Sequence, residues 1–221
     1  MELTKDQIRE TIAKRVAQEL HEGDYVTLGI GLPTEVANYV PETVHLMFHS
    51  ENGLTGTWKK TSPENADPKI INAGGIPIEP QKGAAFFDTS LSFTMIRGGH
   101  IDTTVLGALQ VDQEGNIANW MVPGVFVPGM GGAMDLVVGA KKVIVAMEHL
   151  SKNSPKILKK CTLPLTAAHE VDLIVTERCV IKVEPEGLVL KEINPLFSLD
   201  DIISTVEADL IIPEDLINLA A

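Results

Sequence analysis

The chain has 221 residues, 44% of them hydrophobic, and a net charge of −12 from 18 basic and 30 acidic side chains. That balance repels a nucleic-acid backbone, and the nearest basic group, Lys156, Lys159 and Lys160, is too small to reverse it. No run of about 18 apolar residues offers a membrane span, while a charged N-terminus and two isolated cysteines, Cys161 and Cys179, suit a cytoplasmic protein with free thiols.

Thr4 and Gln7 have capping-box spacing, and Ile8, Ile12, Val16 and Leu20 recur every fourth residue, which predicts an amphipathic helix closed at Gly23. Residues 25–30 read as a strand, followed by Gly31, Pro33 and a helix through Val40. A second strand is expected over 44–48, running into Ser50-Glu51-Asn52-Gly53. The stretch 55–83 holds four prolines and reads as irregular, with a short strand at Ile70 and Ile71. A helix over 90–96 stops at Gly98 and Gly99. Apolar runs at 104–109, 143–147 and 173–175 read as buried strands. Residues 179–183 and 188–193 form a hairpin through Pro185-Glu186-Gly187, Ser198 caps a short helix, and a last strand lies at 210–212. Strands interspersed with helices predict an α/β fold, a layered sheet with flanking helices, as one domain over residues 1–221.

Chemistry concentrates in turns. Ser50-Glu51-Asn52-Gly53 ends a strand, so Glu51 stands at the carboxyl edge of a sheet, where α/β domains bind ligands; on spacing alone an ordinary surface turn is the better reading. Gly29-Ile30-Gly31 follows a strand but lacks the third glycine of a dinucleotide fingerprint, leaving an anion-binding helix start or a packing turn. Gly129-Met130-Gly131-Gly132 lacks the Lys-Ser/Thr of a P-loop, and offers either closely approaching N–H groups or a plain loop. Asn72-Ala73-Gly74-Gly75 is a third flexible turn. His45 and His49 have H-x-x-x-H spacing, but in a strand they stand roughly 13 Å apart, too far to share a metal. Cys161 beside Lys160 shows no base partner, and Ser50 lacks the G-x-S-x-G elbow.

Taken in order, Leu28-Gly29-Ile30-Gly31-Leu32-Pro33-Thr34, Ser50-Glu51-Asn52-Gly53, Ile96-Arg97-Gly98-Gly99-His100, Gly129 to Leu136 and Lys160 to Thr166 resemble the family I CoA-transferases. The likeness is to the second, or beta, subunit of the 3-oxoacid (butyrate–acetoacetate) type, and runs to about Asp215. It implies a fold related to sugar-phosphate isomerase-type folds. It also implies exchange of CoA between a short-chain acyl-CoA (acetoacetyl-, butyryl- or acetyl-CoA) and a carboxylic acid. In that reading Glu51 is the nucleophile and Gly131 and Gly132 hold the oxyanion, while Gly29, Gly31, Asn52, Gly53, Gly74 and Gly75 line the CoA site. CoA enters as substrate; no cofactor is held permanently and no metal is needed. The implied partner is a CoA-transferase alpha subunit, in a heterotetramer with two of each. Relatives often carry Asn where this chain has Thr27, a substrate-positioning place now filled by a hydroxyl with fewer donors. An acyl-CoA thioesterase and a non-catalytic ligand-sensing domain are the alternatives.

Overall fold

The computed structural model describes residues 3–60, 67–125, 127, 129–214 and 216. Helix α1 (Lys5–Ala17) starts at Thr4, whose hydroxyl accepts from the Gln7 N–H while the Gln7 side chain accepts from the Thr4 N–H. Strand β1 (Tyr25–Leu28) leads into a 3-10 helix, Leu32–Asn38, in place of the expected longer helix. Pro33 has no N–H and no side chain caps Gly31, so bonds such as Thr34 N–H to Gly31 O close three-residue turns instead.

Strand β2 (Met47–Ser50) begins three residues later than the sequence pattern suggested. Val44 is taken up in a turn onto Pro41 O, and pairing with β1 starts at Tyr25 with Met47. Strands β3 (Leu54–Lys60) and β4 (Ile78–Phe86) correct the irregular reading of 55–83, of which 61–66 fall outside the described residues. The expected strand at Ile70 and Ile71 is reduced to one bridge between Ile71 and Pro77. Prolines misled because β4 is the outer edge of the sheet, where Pro80 forfeits no necessary donor.

Helix α2 (Thr89–Arg97) is capped by Asp88, whose carboxylate accepts from the Leu91 N–H. Strand β5 (Ile101–Leu106) begins and ends three residues before the expected 104–109. Two short strands, β6 (Gln110–Asp112) and β7 (Ile117–Ala118), precede a helix the glycine run had concealed, α3 (Ala133–Gly139). Strand β8 (Ala140–Ala146) is followed by β9 (Leu150–Ser151), β10 (Ser154–Pro155), β11 (Ile157–Leu158) and β12 (Leu173–Val175). The hairpin of β13 (Cys179–Glu184) and β14 (Gly187–Ile193) lies where predicted, then α4 (Leu199–Ile203) and β15 (Leu210–Ile211).

Ten strands form one sheet in the order β15-β14-β13-β12-β8-β5-β1-β2-β3-β4. From β12 to β2 all pairings are parallel, and antiparallel pairs flank this centre. Alternation along the strands feeds two cores. Val143 and Val145 join Ile96, Leu136 and Val137 on the α2–α3 face, while Ile144 and Ala146 join Ile12, Val16 and Val36 on the α1 face. From β1 the chain crosses to β2 on one side, and from β5 to β8 on the other. The reversal between β1 and β5 is where a parallel sheet opens a crevice at its carboxyl edge.

Candidate active site

Glu51 follows β2 directly, in a turn closed by the Gly53 N–H on Ser50 O at 3.0 Å. Gly53 has φ +114°, and a Cβ there would collide with the Phe87 carbonyl, so the turn admits glycine alone. Glu51 is half-buried, and burial pushes its carboxyl above the ordinary glutamate range, partly offset by its own backbone N–H.

A second segment clasps this turn. Ser50 Oγ accepts from the Ala73 N–H at 2.9 Å, and the Asn52 amide donates to Ile71 O at 2.8 Å. Asn72 Oδ1 accepts from the N–H groups of Gly74 and Ile76, both at 3.0 Å, which rounds off the loop that contains Gly75. A Cβ on Gly74 would stand 3.5 Å from Ile30 Cγ1, so the loop after β1 also reaches this place. Gly29 packs tightly on β5, its N–H on Val105 O at 2.8 Å, and Gly31 O accepts from Thr34.

The third segment is the glycine loop before α3. A Cβ on Gly132 would lie 3.0 Å from Phe93 Cζ and 3.5 Å from Glu51 Cγ. Glu51 and Gly132 of the glycine loop, 81 positions apart in sequence, are therefore neighbours. Among the described residues no acceptor takes the N–H of Gly131 or Gly132. The Asp135 carboxylate accepts from Arg97 Nε at 2.7 Å and ties the first turn of α3 to the end of α2.

Thr27 does not reach this surface. It is fully buried one step below, with Oγ1 3.4 Å from His49 Nδ1. The ladder register sets Thr104, Thr27, His49 and Thr55 side by side on the α2 face, and His49 Nε2 lies 3.0 Å from Ser92 Oγ on that helix. The Phe87 ring stacks at 5.9 Å, and burial lowers His49 to about 4, so the imidazole is neutral at physiological pH. Sequence reasoning weighed His49 only as a metal ligand paired with His45, and passed over Ser92. The available signal was a run of threonines and a histidine in strands that a parallel centre ordinarily fills with Val, Ile and Leu.

The other sequence candidates lie apart. His45 is exposed beside Glu22 at 3.4 Å. Burial pushes both Cys161 and Cys179 up to about 12, with Asp112 adding to the effect at Cys161, so neither is a ready thiolate. Among the described residues no helix is long and apolar enough to cross a membrane.

Comparison with known proteins gives the family and the fold. A coenzyme A transferase family model matches residues 9–205. The chain is 56% identical over 208 residues to the beta chain of acetate CoA-transferase of Haemophilus influenzae, covering 94% of this chain and 93% of that one. It is 48% identical over 203 residues to the B component of succinyl-CoA:3-ketoacid coenzyme A transferase of Helicobacter pylori, covering 91% and 98%. Among solved structures, an acyl-CoA transferase apoenzyme from Escherichia coli O157:H7 superposes with a TM-score of 0.77 at 20% identity. That match covers 98% of this chain but 44% of the larger one, and at such identity it speaks for the fold alone.

Proposed function

Because the chain belongs to the coenzyme A transferase family, as a beta-type subunit, we propose that it exchanges CoA between a short-chain acyl-CoA and a carboxylic acid through a glutamyl-CoA thioester on Glu51. The supporting observation is the meeting of a desolvated carboxylate with a glycine loop at the carboxyl edge of the sheet. The names of the relatives favour acetate and 3-oxoacids such as acetoacetate, with butyrate of similar size.

The steps balance without ATP or metal. A Glu51 carboxylate oxygen attacks the thioester carbonyl, the C–S bond breaks, and a mixed anhydride and CoA thiolate result. The thiolate then attacks Glu51 Cδ, releasing the donor acid and leaving the glutamyl-CoA thioester. The acceptor carboxylate attacks that thioester and expels the thiolate, which takes the acceptor acyl group and restores Glu51. Each intermediate keeps the acyl group activated, whereas a serine ester would be a thermodynamic sink. Each tetrahedral oxyanion falls to the N–H groups of Gly131 and Gly132, where one lost donor typically costs about 3–4 kcal/mol. Water must stay out, since it would hydrolyse the anhydride.

In this reading an alpha subunit completes the site, in a heterotetramer with two of each chain, and the relatives' designation as beta subunits supports a partner. Two free cysteines are in keeping with a cytoplasmic setting. The test is the intact mass of the chain, co-purified with its partner, after acetoacetyl-CoA without acceptor acid. A CoA adduct that acetate discharges, and that Glu51→Ala lacks, is the expected result. Transfer retained by Glu51→Ala would overturn the assignment, and release of free acid alone would indicate a thioesterase.

A further inference from the structure

Strands of a parallel centre, covered on both faces, ordinarily hold Val, Ile and Leu. Here Thr104, Thr27, His49 and Thr55 stand side by side beneath α2. Thr27 and Thr104 are fully shielded from solvent, and Thr104 Oγ1 has no hydrogen-bond partner among the described residues. A buried hydroxyl without a partner destabilises, so aliphatic side chains would serve the core better. The row therefore has a role other than holding the fold together.

Within it, His49 is the member that bonds out of the sheet. Its neutral ring has one donor and one acceptor, and either tautomer can use both, on Thr27 Oγ1 at 3.4 Å and Ser92 Oγ at 3.0 Å. Among the described residues no other side-chain hydrogen bond joins β2 to α2. The Phe87 ring stacks on the same imidazole, and the Phe87 N–H donates to Gly53 O at 2.9 Å. Helix α2 is thus held to β2 and its turn at two places, just ahead of its first turn and at Ser92. From there contact passes to α3. Phe93 lies against Gly132, a Cβ on Gly139 would collide with the Ile96 carbonyl, and Arg97 is bonded to Asp135. Glu51 rides on β2 and Gly132 heads α3, so the seating of α2 sets the gap between them.

We propose that His49 is a positioning residue for the transfer: by seating α2 through Ser92 it fixes Gly131 and Gly132 relative to Glu51. This role rests on the reading of Glu51 as the acyl acceptor. Geometry gives it weight, since about 1 Å of misplacement between reacting groups costs on the order of 100-fold in rate. At 3% exposure the ring is out of reach of substrate, so its loss slows the chemistry and leaves binding alone.

The test uses the chain with its partner and follows the Glu51–CoA adduct by intact mass over time. Ser92→Ala deletes one oxygen and His49→Leu the polar ring. Each lowers kcat and the rate of adduct formation about tenfold or more, while the KM values for acyl-CoA and acid stay within about twofold. The adduct still reaches its wild-type occupancy, and thermal unfolding shows that each variant is folded; where His49→Leu is not, Ser92→Ala decides. His49→Gln, whose amide N–H extends about as far as Nε2, restores most of the rate. In a Gly132→Ala background Ser92→Ala costs less than it does alone, because both changes act on one gap. Adduct formation at the wild-type rate in Ser92→Ala and His49→Leu overturns the role, as do losses that multiply in full with Gly132→Ala. Lower occupancy at an unchanged rate marks a purely structural histidine and overturns it too. A wild type that forms no adduct removes the Glu51 reading itself and this role with it, an outcome that the wild type alone decides.

Discussion

At the residue scale the site turns on one poorly hydrated carboxylate. Folding raises the Glu51 pKa, so the protonated form is favoured and the residue costs nothing in acid. Its penalty grows as pH climbs from the ordinary value of 4.5 through the raised one. Glu51→Gln therefore abolishes the adduct yet shows a higher urea midpoint than the wild type at neutral pH, and the gap closes in acid; urea titrations at the two pH values check this. Gly132 gives a complementary case. Its φ of −84° suits alanine, but the added Cβ would press on Phe93 at 3.0 Å and face Glu51 at 3.5 Å. Gly132→Ala should fold with little loss of stability and lose about tenfold or more in kcat, read from steady-state rates beside a melting curve.

At the element scale, the β2–β3 turn delivers Glu51, and its tolerance is narrow. Gly53→Ala combines a left-handed backbone with a collision against Phe87 O. The expected loss is more than about 2 kcal/mol in equilibrium urea unfolding, a strain cost that a surface turn would not show. The same turn explains what the sequence made legible. Asn52-Gly53 announced a sharp reversal, and the apolar run before it announced a strand, so Glu51 was placed at the sheet edge from local signals. The capping box at Thr4 and the β13–β14 hairpin were local too, and both lie as read. What stayed hidden depends on distant partners. Pro80 reads as a breaker unless β4 is known to be an edge, and Gly129 to Gly132 read as a loop unless Phe93 and Glu51 are known to face them. The His49–Ser92 contact joins β2 to α2 across 43 positions, which no window of local sequence contains.

At the scale of the whole molecule, two buried histidines couple the fold to acid. His49 and His149 both fall from 6.5 to about 4 because burial disfavours the charged ring; at His149, Arg178 and Lys156 add to it. The unfolded chain binds these protons first, so stability is intact above pH 6.5 and declines as pH falls towards 4. The loss reaches at most about 3 kcal/mol for each histidine. His149→Gln, which removes a ring held between the hydroxyls of Thr176 and Thr205 at 3.0 Å each, should flatten that decline between pH 7 and pH 5 in urea titrations. The position of β1 carries a consequence for synthesis. This strand is sandwiched between β2 and β5, and Val26 finds its partner Thr103 only 77 positions downstream. A nascent chain that has emerged as far as β2 thus presents one flank of β1 as an unpaired, apolar ladder, and closing so long a loop is slow. Until β5 leaves the ribosome that flank is a template for other chains, so the yield of native protein should depend on translation rate and chaperone supply more than on the stability of the finished fold.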